Sequence, residues 1–302
     1  MIHKHRTKSE ELCMLESLHA RMDLTENDRK HYINLKKGYE GELKFDSMTE
    51  KLQCDCLLLN DLRLKMNNTH FQMDSLMITL EGICMFEVKN FEGDFFYERD
   101  KLFMRNKTEI NYPLIQLRRN ESLLRQLLQD LGWNNIPIDS KVVFINPEFT
   151  LYQAPLNLPF IYPTQIPKYF RKLNTTPSKL TKKHLILADK LVSCHLEKFP
   201  FLQLPEYEYT QLQKGITCES CRSFSVAVEG MKVVCGECGH KEGVDEAVLR
   251  SVKEFKLLFP GQKITTNKIQ EWCKIIDSKK TIKRILSKNF TPEGVRQWTY
   301  YQ

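Results

Sequence analysis

Three ionisable residues stand within an otherwise apolar stretch of the chain and could together do chemistry. The segments 71–80 and 83–91 are apolar on both faces, as in central strands covered on each side, except at Asp74, Glu87 and Lys89. Burying such charges costs several kcal/mol per ion, so a role in folding alone explains them poorly. Two neighbouring carboxylates repel each other unless a cation lies between them, and a hard divalent ion such as Mg²⁺ or Mn²⁺ can fill that place. The three residues therefore indicate a metal-dependent catalytic pocket.

Two registers of the predicted hairpin would bring these residues together. A turn at Leu80-Glu81 places Asp74 opposite Glu87, whereas a turn at Glu81-Gly82 places Asp74 opposite Lys89. Cβ atoms of direct cross-strand neighbours are about 4.5–5.5 Å apart and those of diagonal neighbours about 7–8 Å, so one pocket can hold all three groups in either register. The structural alternative is a buried ion pair between Lys89 and one acid, with the third charge reaching solvent at a strand end.

Four of the ten cysteines have the spacing of a metal site. Cys218-x₂-Cys221 and Cys235-x₂-Cys238 are separated by 13 residues, which predict a hairpin between two knuckles. Four thiolates satisfy the tetrahedral preference of Zn²⁺, and closed four-sulfur sites are structural. The pattern resembles a zinc ribbon. A redox dithiol is the weaker interpretation, because neither C-x-x-C opens a helix in a βαβ unit.

The composition excludes a membrane-spanning protein. The 302 residues are 41% hydrophobic and 27% charged, and no run approaches the roughly 18–20 apolar residues that a membrane span needs. The amino-terminal sequence MIHKHRTKSEE lacks the apolar core of a secretory signal. We therefore expect a cytoplasmic protein that makes no contact with a membrane.

The basic surplus of the chain lies at its carboxyl end. Residues 250–302 hold 12 Lys and Arg against 4 acids, a net charge of +8, whereas the whole chain has a net charge of +7. Two short helices predicted around Asp277-Ser278 resemble a helix-turn-helix or winged-helix module. A nucleic-acid backbone is the expected partner, and a solvated basic helix pair is the alternative. The residues predicted to contact phosphates are Lys279, Lys280, Lys283, Arg284 and Lys288.

Hydrophobic periodicity predicts the elements that must position the pocket. We expect amphipathic helices over 9–33 as a leader packed on the main domain, and a further helix that follows Gly38. Residues 71–104 predict an antiparallel meander with reversals at Glu81-Gly82, Glu92-Gly93 and Arg99-Asp100. A long helix over 111–131 and a buried strand over 141–146 follow. This order predicts an α/β domain.

Four motifs in this order resemble the nuclease-related domain family, NERD, of the PD-(D/E)xK superfamily. They are Gly38-x₃-Glu42, Gln72-Met73-Asp74, Phe86-Glu87-Val88-Lys89-Asn90-Phe91-x-Gly93 and Asn111-x-Pro113-Leu114-x-Gln116-Leu117. The resemblance covers about residues 36–170. It implies a restriction-endonuclease-like mixed sheet flanked by helices, which hydrolyses phosphodiester bonds with Mg²⁺ or Mn²⁺ and takes DNA in preference to RNA.

The resemblance also implies roles for residues of the hairpin. Asp74 and Glu87 would be metal ligands, the backbone carbonyl of Val88 would be a third, and Lys89 would act on the attacking water.

Two further catalytic residues are implied outside the hairpin. Glu42 would complete the acidic cluster from the preceding helix, although Glu40 competes for this role because both acids fall in the same Gly-flanked segment. Gln116 would lie near the substrate phosphate or the water, and its alternative is a solvent-exposed helix-start glutamine.

We therefore expect a metal-dependent nuclease whose carboxyl-terminal modules help to bind nucleic acid. The alternative is a catalytically inactive nucleic-acid-binding protein, or an adaptor of repair, defence or transcription whose ribbon binds a protein partner. The predicted domains are a helical leader (1–35), the nuclease-like domain (36–170), a helical linker (171–214), a zinc ribbon (215–241) and a basic helical module (242–302).

Overall fold

The chain folds into two compact units. The computed structural model describes residues 1–198, 200–295 and 298–302. Unit 1 comprises Met1–Lys8 and Asn34–Phe201, and unit 2 comprises Ser9–Ile33 and Leu202–Gln302. Each unit is therefore assembled from two separate stretches of sequence.

Helices and strands are numbered in chain order. The helices are α1 (Glu10–Arg21), α2 (Glu26–Thr49), α3 (Pro113–Asp130), α4 (Ile166–Thr175), α5 (Lys182–Ser193), α6 (Val244–Leu258), α7 (Thr266–Cys273) and α8 (Lys279–Asn289). The strands are β1 (Ile2–Lys4), β2 (Leu57–Met66), β3 (Thr69–Thr79), β4 (Gly82–Lys89), β5 (Gly93–Glu98), β6 (Lys101–Met104), β7 (Glu109–Ile110), β8 (Ile138–Phe144), β9 (Phe149–Tyr152), β10 (Phe160–Ile161), β11 (Val226–Glu229), β12 (Lys232–Cys235), β13 (Lys241–Gly243), β14 (Pro292–Glu293) and β15 (Tyr300–Tyr301). Within the described ranges, no helix is long and apolar enough to cross a membrane.

The main sheet of unit 1 is mixed. Its strand order is β1-β2-β3-β4-β8-β10. Strands β2, β3 and β4 are antiparallel neighbours, whereas β1 runs parallel to β2, and β8 runs parallel to both β4 and β10. The predicted α/β class with a mixed sheet flanked by helices is confirmed.

Helices cover this sheet on both faces, so that each face of the apolar strands is buried. On one face, Phe45 of α2 and Ile166 of α4 pack with Phe86 of β4. On the other face, Leu124 of α3 and Leu187 of α5 belong to the larger core of the unit. Side chains of α2 and of α3 can thus approach the strands from opposite faces.

The β3–β4 hairpin has the first of the two predicted registers. Thr79 pairs with Gly82, and the ladder continues to Ser75 opposite Phe86. The turn is therefore Leu80-Glu81. Extending this register by one pair places Asp74 opposite Glu87.

The predicted meander is wrong at its second reversal. Strand β5 does not continue the main sheet after β4 but belongs to a separate sheet with the order β7-β6-β5-β9. Gly93 has a φ of 93°, which side chains disfavour, and it directs the chain out of the main sheet. Strand β8 instead pairs with β4 in parallel register, with Glu87 beside Val142 and Lys89 beside Phe144.

Two glycines of α2 test how closely this helix approaches the strands. A Cβ atom on Gly41 would lie 2.5 Å from Asn90 Cβ, whereas one on Gly38 would meet no atom within 4 Å. We expect Gly41→Ala to lower the free energy of unfolding by about 1–3 kcal/mol, because overpacking must shift the helix or the strand end. Gly38→Ala should raise it by up to about 1 kcal/mol, because alanine favours helix. Urea unfolding measures both changes, and a stabilised Gly41→Ala variant would contradict the close approach.

Unit 2 has its own core, to which the amino-terminal helix contributes. Met14 and Leu18 of α1 pack in one cluster with Trp272 of α7, and the buried guanidinium of Arg21 lies 4.0 Å from the centroid of the Trp272 ring. The expectation that residues 9–33 pack as a leader on the main domain is therefore wrong, because the apolar stripe of α1 is buried in the core of unit 2.

The predicted helical linker, residues 171–214, is divided between the units. Leu187, Ala188 and Leu191 of α5 are buried in the larger core of unit 1, and unit 2 resumes at Leu202. The apolar side of α5 explains the difference, because a free linker helix would leave that side in water.

Candidate functional site

Asp74, Glu87 and Lys89 come together where β3 and β4 separate. Asp74 and Glu87 are 7% and 2% exposed. The Lys89 Nζ atom donates to Glu87 Oε1 at 2.7 Å and to Gln116 Oε1 at 3.1 Å. The N–H of Val88 donates to Asp74 Oδ2 at 2.7 Å. Val88 thus fixes the Asp74 carboxylate through its amide, and the metal-ligand role of its carbonyl stays a prediction.

Burial and mutual repulsion control the charge of this pocket. Burial, followed by the charge of Asp74, raises the pKa of Glu87 to about 8, and burial also raises the pKa of Asp74. Burial disfavours the ammonium form of Lys89, but Glu87 and Asp74 outweigh this effect and raise the pKa of Lys89. A protonated lysine therefore lies beside two carboxyl groups. A further cation in the pocket would favour the ionised form of both carboxyl groups.

The two residues predicted on helices both reach this neighbourhood. Gln116 of α3 is exposed and accepts the hydrogen bond from Lys89. Burial and then the charge of Asp74 raise the pKa of Glu42 on α2 to about 8, as expected for an acid close to Asp74. Glu40, the competing acid, is exposed. The geometry thus brings Glu42 to the acidic cluster, and its choice over Glu40 stays a prediction.

Arg6 is part of the cluster although it is not among the residues predicted from the sequence. Its Nη1 donates to Glu42 Oε2 at 2.6 Å, its Nε and Nη2 donate to the two carboxylate oxygens of Asp46 at 2.8 and 3.0 Å, and Nη2 also donates to the Asp74 carbonyl at 2.7 Å. No spacing rule could have found Arg6, because it precedes Glu42 by 36 residues and reaches it only through the parallel β1–β2 pair.

Backbone strain marks the same end of the sheet. Asp61 interrupts β2 with a φ of 54° and is 4% exposed. The β2–β3 register places it opposite Asp74. Lys4 Nζ donates to the carbonyls of Asn60 and Asp61 at 2.8 Å each. Left-handed backbone at a non-glycine residue costs about 1–3 kcal/mol and clusters at functional sites, so this kink supports the location of the site.

The donor set fits a hard divalent cation. Hydrogen bonds among the described residues occupy Oδ2 of Asp74 and Oε1 of Glu87, so each carboxylate keeps its second oxygen. Across the described ranges, no three carboxylates of this cluster have oxygens that all lie within 4.8 Å of one another. The pocket can therefore offer a small number of carboxylate ligands, which suits Mg²⁺, an ion that usually keeps several waters.

The four predicted zinc ligands form a tight group in unit 2. The Sγ atoms of Cys218, Cys221, Cys235 and Cys238 all lie within 4.8 Å of one another. Two of the separations are 3.6 Å, close to the roughly 3.8 Å that follows from tetrahedral Zn–S bonds of about 2.3 Å. Strands β11 and β12 form the predicted hairpin between the knuckles, and the N–H groups of Cys238 and Glu237 lower the pKa of Cys235 to about 7. The cluster could hold zinc.

Helix α8 presents a basic face. Ile282 and Ile285 are buried, which turns the opposite side of the helix outward. Arg284 donates to both carboxylate oxygens of Asp245, at 2.9 and 2.6 Å. Its guanidinium is thus partly neutralised. The exposed lysines predicted to contact phosphates are Lys279, Lys280, Lys283 and Lys288.

Comparison with known proteins identifies the segment that contains the carboxylate pocket. Residues 37–145 match the family model of the nuclease-related domain, NERD. No curated protein and no solved structure matches the chain. The matched segment includes Glu42, Asp74, Glu87, Lys89 and Gln116. The chain therefore carries a nuclease-related domain at residues 37–145, followed along the sequence by a four-cysteine cluster that is compatible with a zinc ribbon.

Proposed function

We propose that the protein is a nuclease that hydrolyses phosphodiester bonds with Mg²⁺ or Mn²⁺ and acts on DNA. The observation that carries the proposal is the pair of buried carboxyl groups, Asp74 and Glu87, with the half-buried Lys89 beside them, inside a segment that matches the nuclease-related domain. A folding role would not favour two buried carboxyl groups with raised pKa values beside one lysine.

The residues of the pocket divide the chemistry among them. Asp74 and Glu87 would hold the cation, which when bound polarises the phosphoryl oxygen and supplies a nucleophile near neutral pH. The Lys89 ammonium would orient the attacking water and offset the charge that grows on the phosphoryl oxygens. Gln116 holds the Lys89 head group at 3.1 Å. Glu42 would complete the acidic cluster.

The basic carboxyl-terminal segment, residues 250–302, would supply part of the attraction for nucleic acid. Residues 38–170 hold 14 Lys and Arg against 18 Asp and Glu, whereas residues 250–302 hold 12 against 4. Phosphate contacts by lysines release counterions and position a protein without reading sequence. The exposed lysines of α8 fit this role, and the ribbon would stabilise the segment that precedes them.

Cleavage of labelled single- and double-stranded DNA and of RNA tests the proposal. Purified protein is incubated with Mg²⁺, with Mn²⁺ or with EDTA, beside the Glu87→Ala/Lys89→Ala double variant. We expect cleavage of DNA that requires the metal and is lost in the variant, because the variant lacks both a metal ligand and the neighbouring ammonium.

Two other results would contradict parts of the proposal. Equal cleavage by the double variant would place the activity elsewhere. Salt-sensitive DNA binding without cleavage by the wild type would favour a catalytically inactive binding protein, and capture of a protein partner that survives high salt would favour an adaptor.

A further inference from the structure

The guanidinium of Arg6 joins three elements of unit 1 at the acidic cluster. Its side chain is 2% exposed. It starts from the segment that follows β1, holds Glu42 and Asp46 on α2, and donates to the Asp74 carbonyl on β3. Glu42 and Asp46 are four residues apart and therefore share one face of α2. One planar group thus fixes that face against the strand that carries Asp74.

The attachment of the first residues to the sheet does not require Arg6. The backbone of β1 pairs with β2, the amino group of Met1 donates to the Cys56 carbonyl at 2.7 Å, and Lys4 donates to two carbonyls of β2. If Arg6 only held β1 in place, it would duplicate these contacts. Such a role would not explain why its guanidinium pairs with two carboxylates.

We propose that Arg6 is a positioning residue of the cation site, which keeps the Glu42 carboxylate beside Asp74. The inference rests on the proposed function in that it assumes a divalent cation at Asp74 and Glu87. Arg6 lies outside the segment 37–145 that matches the family model, so the site would depend on a residue that the domain itself does not contain.

The physical basis is the geometry of arginine. Glu42 is partly exposed, and without a partner its carboxylate would be repelled by Asp74 towards solvent. The planar guanidinium donates to Glu42 and to both oxygens of Asp46 at once, which the ammonium of a lysine cannot reproduce with the same geometry. Among the described residues, Arg6 donates to one oxygen of Glu42, Oε2, so that Oε1 would be available to a hydrated cation.

Calorimetric titration of the full chain with Mn²⁺, in the absence of nucleic acid, tests the inference. Asp74→Asn identifies the heat that belongs to this site. Arg6→Gln should weaken Mn²⁺ binding there by about 10- to 100-fold, as loss of a residue that orients a ligand typically does. Arg6→Lys should restore this affinity in part only. Lys37→Gln is the matched control, because it removes a cation from α2, the helix that carries Glu42, and this cation pairs with Glu92 at 2.6 Å. Its Mn²⁺ affinity should equal that of the wild type.

A double-mutant cycle separates positioning from loss of structure. If Arg6 acts through Glu42, Arg6→Gln should cause no further loss of Mn²⁺ affinity in a Glu42→Gln background. Equal losses in both backgrounds would overturn the inference. If Arg6→Gln does not fold, as judged by circular dichroism, the same cycle is run with Arg6→Lys.

The outcomes distinguish this inference from the proposed function. Wild-type affinity in folded Arg6→Gln overturns the role of Arg6 and leaves the nuclease proposal intact. Mn²⁺ binding that Asp74→Asn does not reduce overturns the cation site and this inference with it. Binding with the expected Arg6 dependence but without cleavage supports the inference and contradicts the nuclease proposal.

Discussion

The Lys89→Met variant is expected to cleave DNA about 100- to 1,000-fold more slowly than the wild type, the range typical of losing a group that stabilises charge in the transition state. Lys89 donates hydrogen bonds to both Glu87 and Gln116, and it is the residue proposed to act on the attacking water. Its replacement removes a positive charge that competes with the metal for Glu87, so Mn²⁺ binding should persist or become tighter. Single-turnover cleavage at saturating Mn²⁺, together with calorimetry, measures both quantities.

Two variants make this result specific. Asp74→Asn should lose cleavage and Mn²⁺ affinity together, because it removes a ligand rather than the group that acts on the water. Lys37→Met removes another Lys–Glu ion pair of unit 1, the exposed pair with Glu92 at 2.6 Å, and should cleave normally. If Lys89→Met cleaved at the wild-type rate, Lys89 would have no catalytic role, even in an active nuclease.

The second large effect is expected from loss of the cysteine cluster. Wild-type protein should contain about one zinc per chain by elemental analysis, and Cys235→Ser should contain almost none, because three sulfurs leave an incomplete tetrahedral site. Structural zinc contributes about 10–16 kcal/mol in zinc-finger peptides, comparable with the whole free energy of unfolding of a domain. We therefore expect the ribbon and the core that it contacts to unfold far below the wild-type temperature.

The zinc prediction has an internal control. Cys54→Ser changes a cysteine outside the cluster and should retain the metal and its unfolding temperature within about 2–4 °C, the shift that a change of about 1 kcal/mol causes in larger domains. A wild-type protein without zinc, whose stability Cys235→Ser does not alter, would show that the sulfurs serve another purpose.

The short spacing between residues along the chain made two features predictable: the carboxylate pocket of unit 1 and the cysteine cluster of unit 2. The Cys218–Cys238 pattern lies within 21 residues, so one hairpin is enough to bring the sulfurs together. Asp74 and Glu87 are likewise joined by a single tight turn, and the alternation of strands limits their register to two possibilities. In each case the contact depends on geometry that a short segment determines by itself.

Contacts between distant segments were not predictable in the same way. Arg6 meets Glu42 only because β1 adds to the edge of β2 in parallel, and nothing in the sequence near either residue specifies that pairing. Similarly, β4 pairs with the distant strand β8 and not with β5, which follows it along the chain. An apolar stripe such as that of α1 shows that a helix is buried, but it does not identify the core that buries it.

The chain passes between the two units three times, at 8/9, at 33/34 and at 201/202. Nicking the backbone at 201/202 would therefore not release either unit, since the amino-terminal fragment keeps α1, whose Met14 and Leu18 belong to the core formed with α6 and α7. The two fragments would behave as a split protein held together by complementation. Neither unit can be transferred to another protein as one continuous segment of sequence. A transferred carboxylate pocket would keep Arg6 only if the first eight residues were transferred with it.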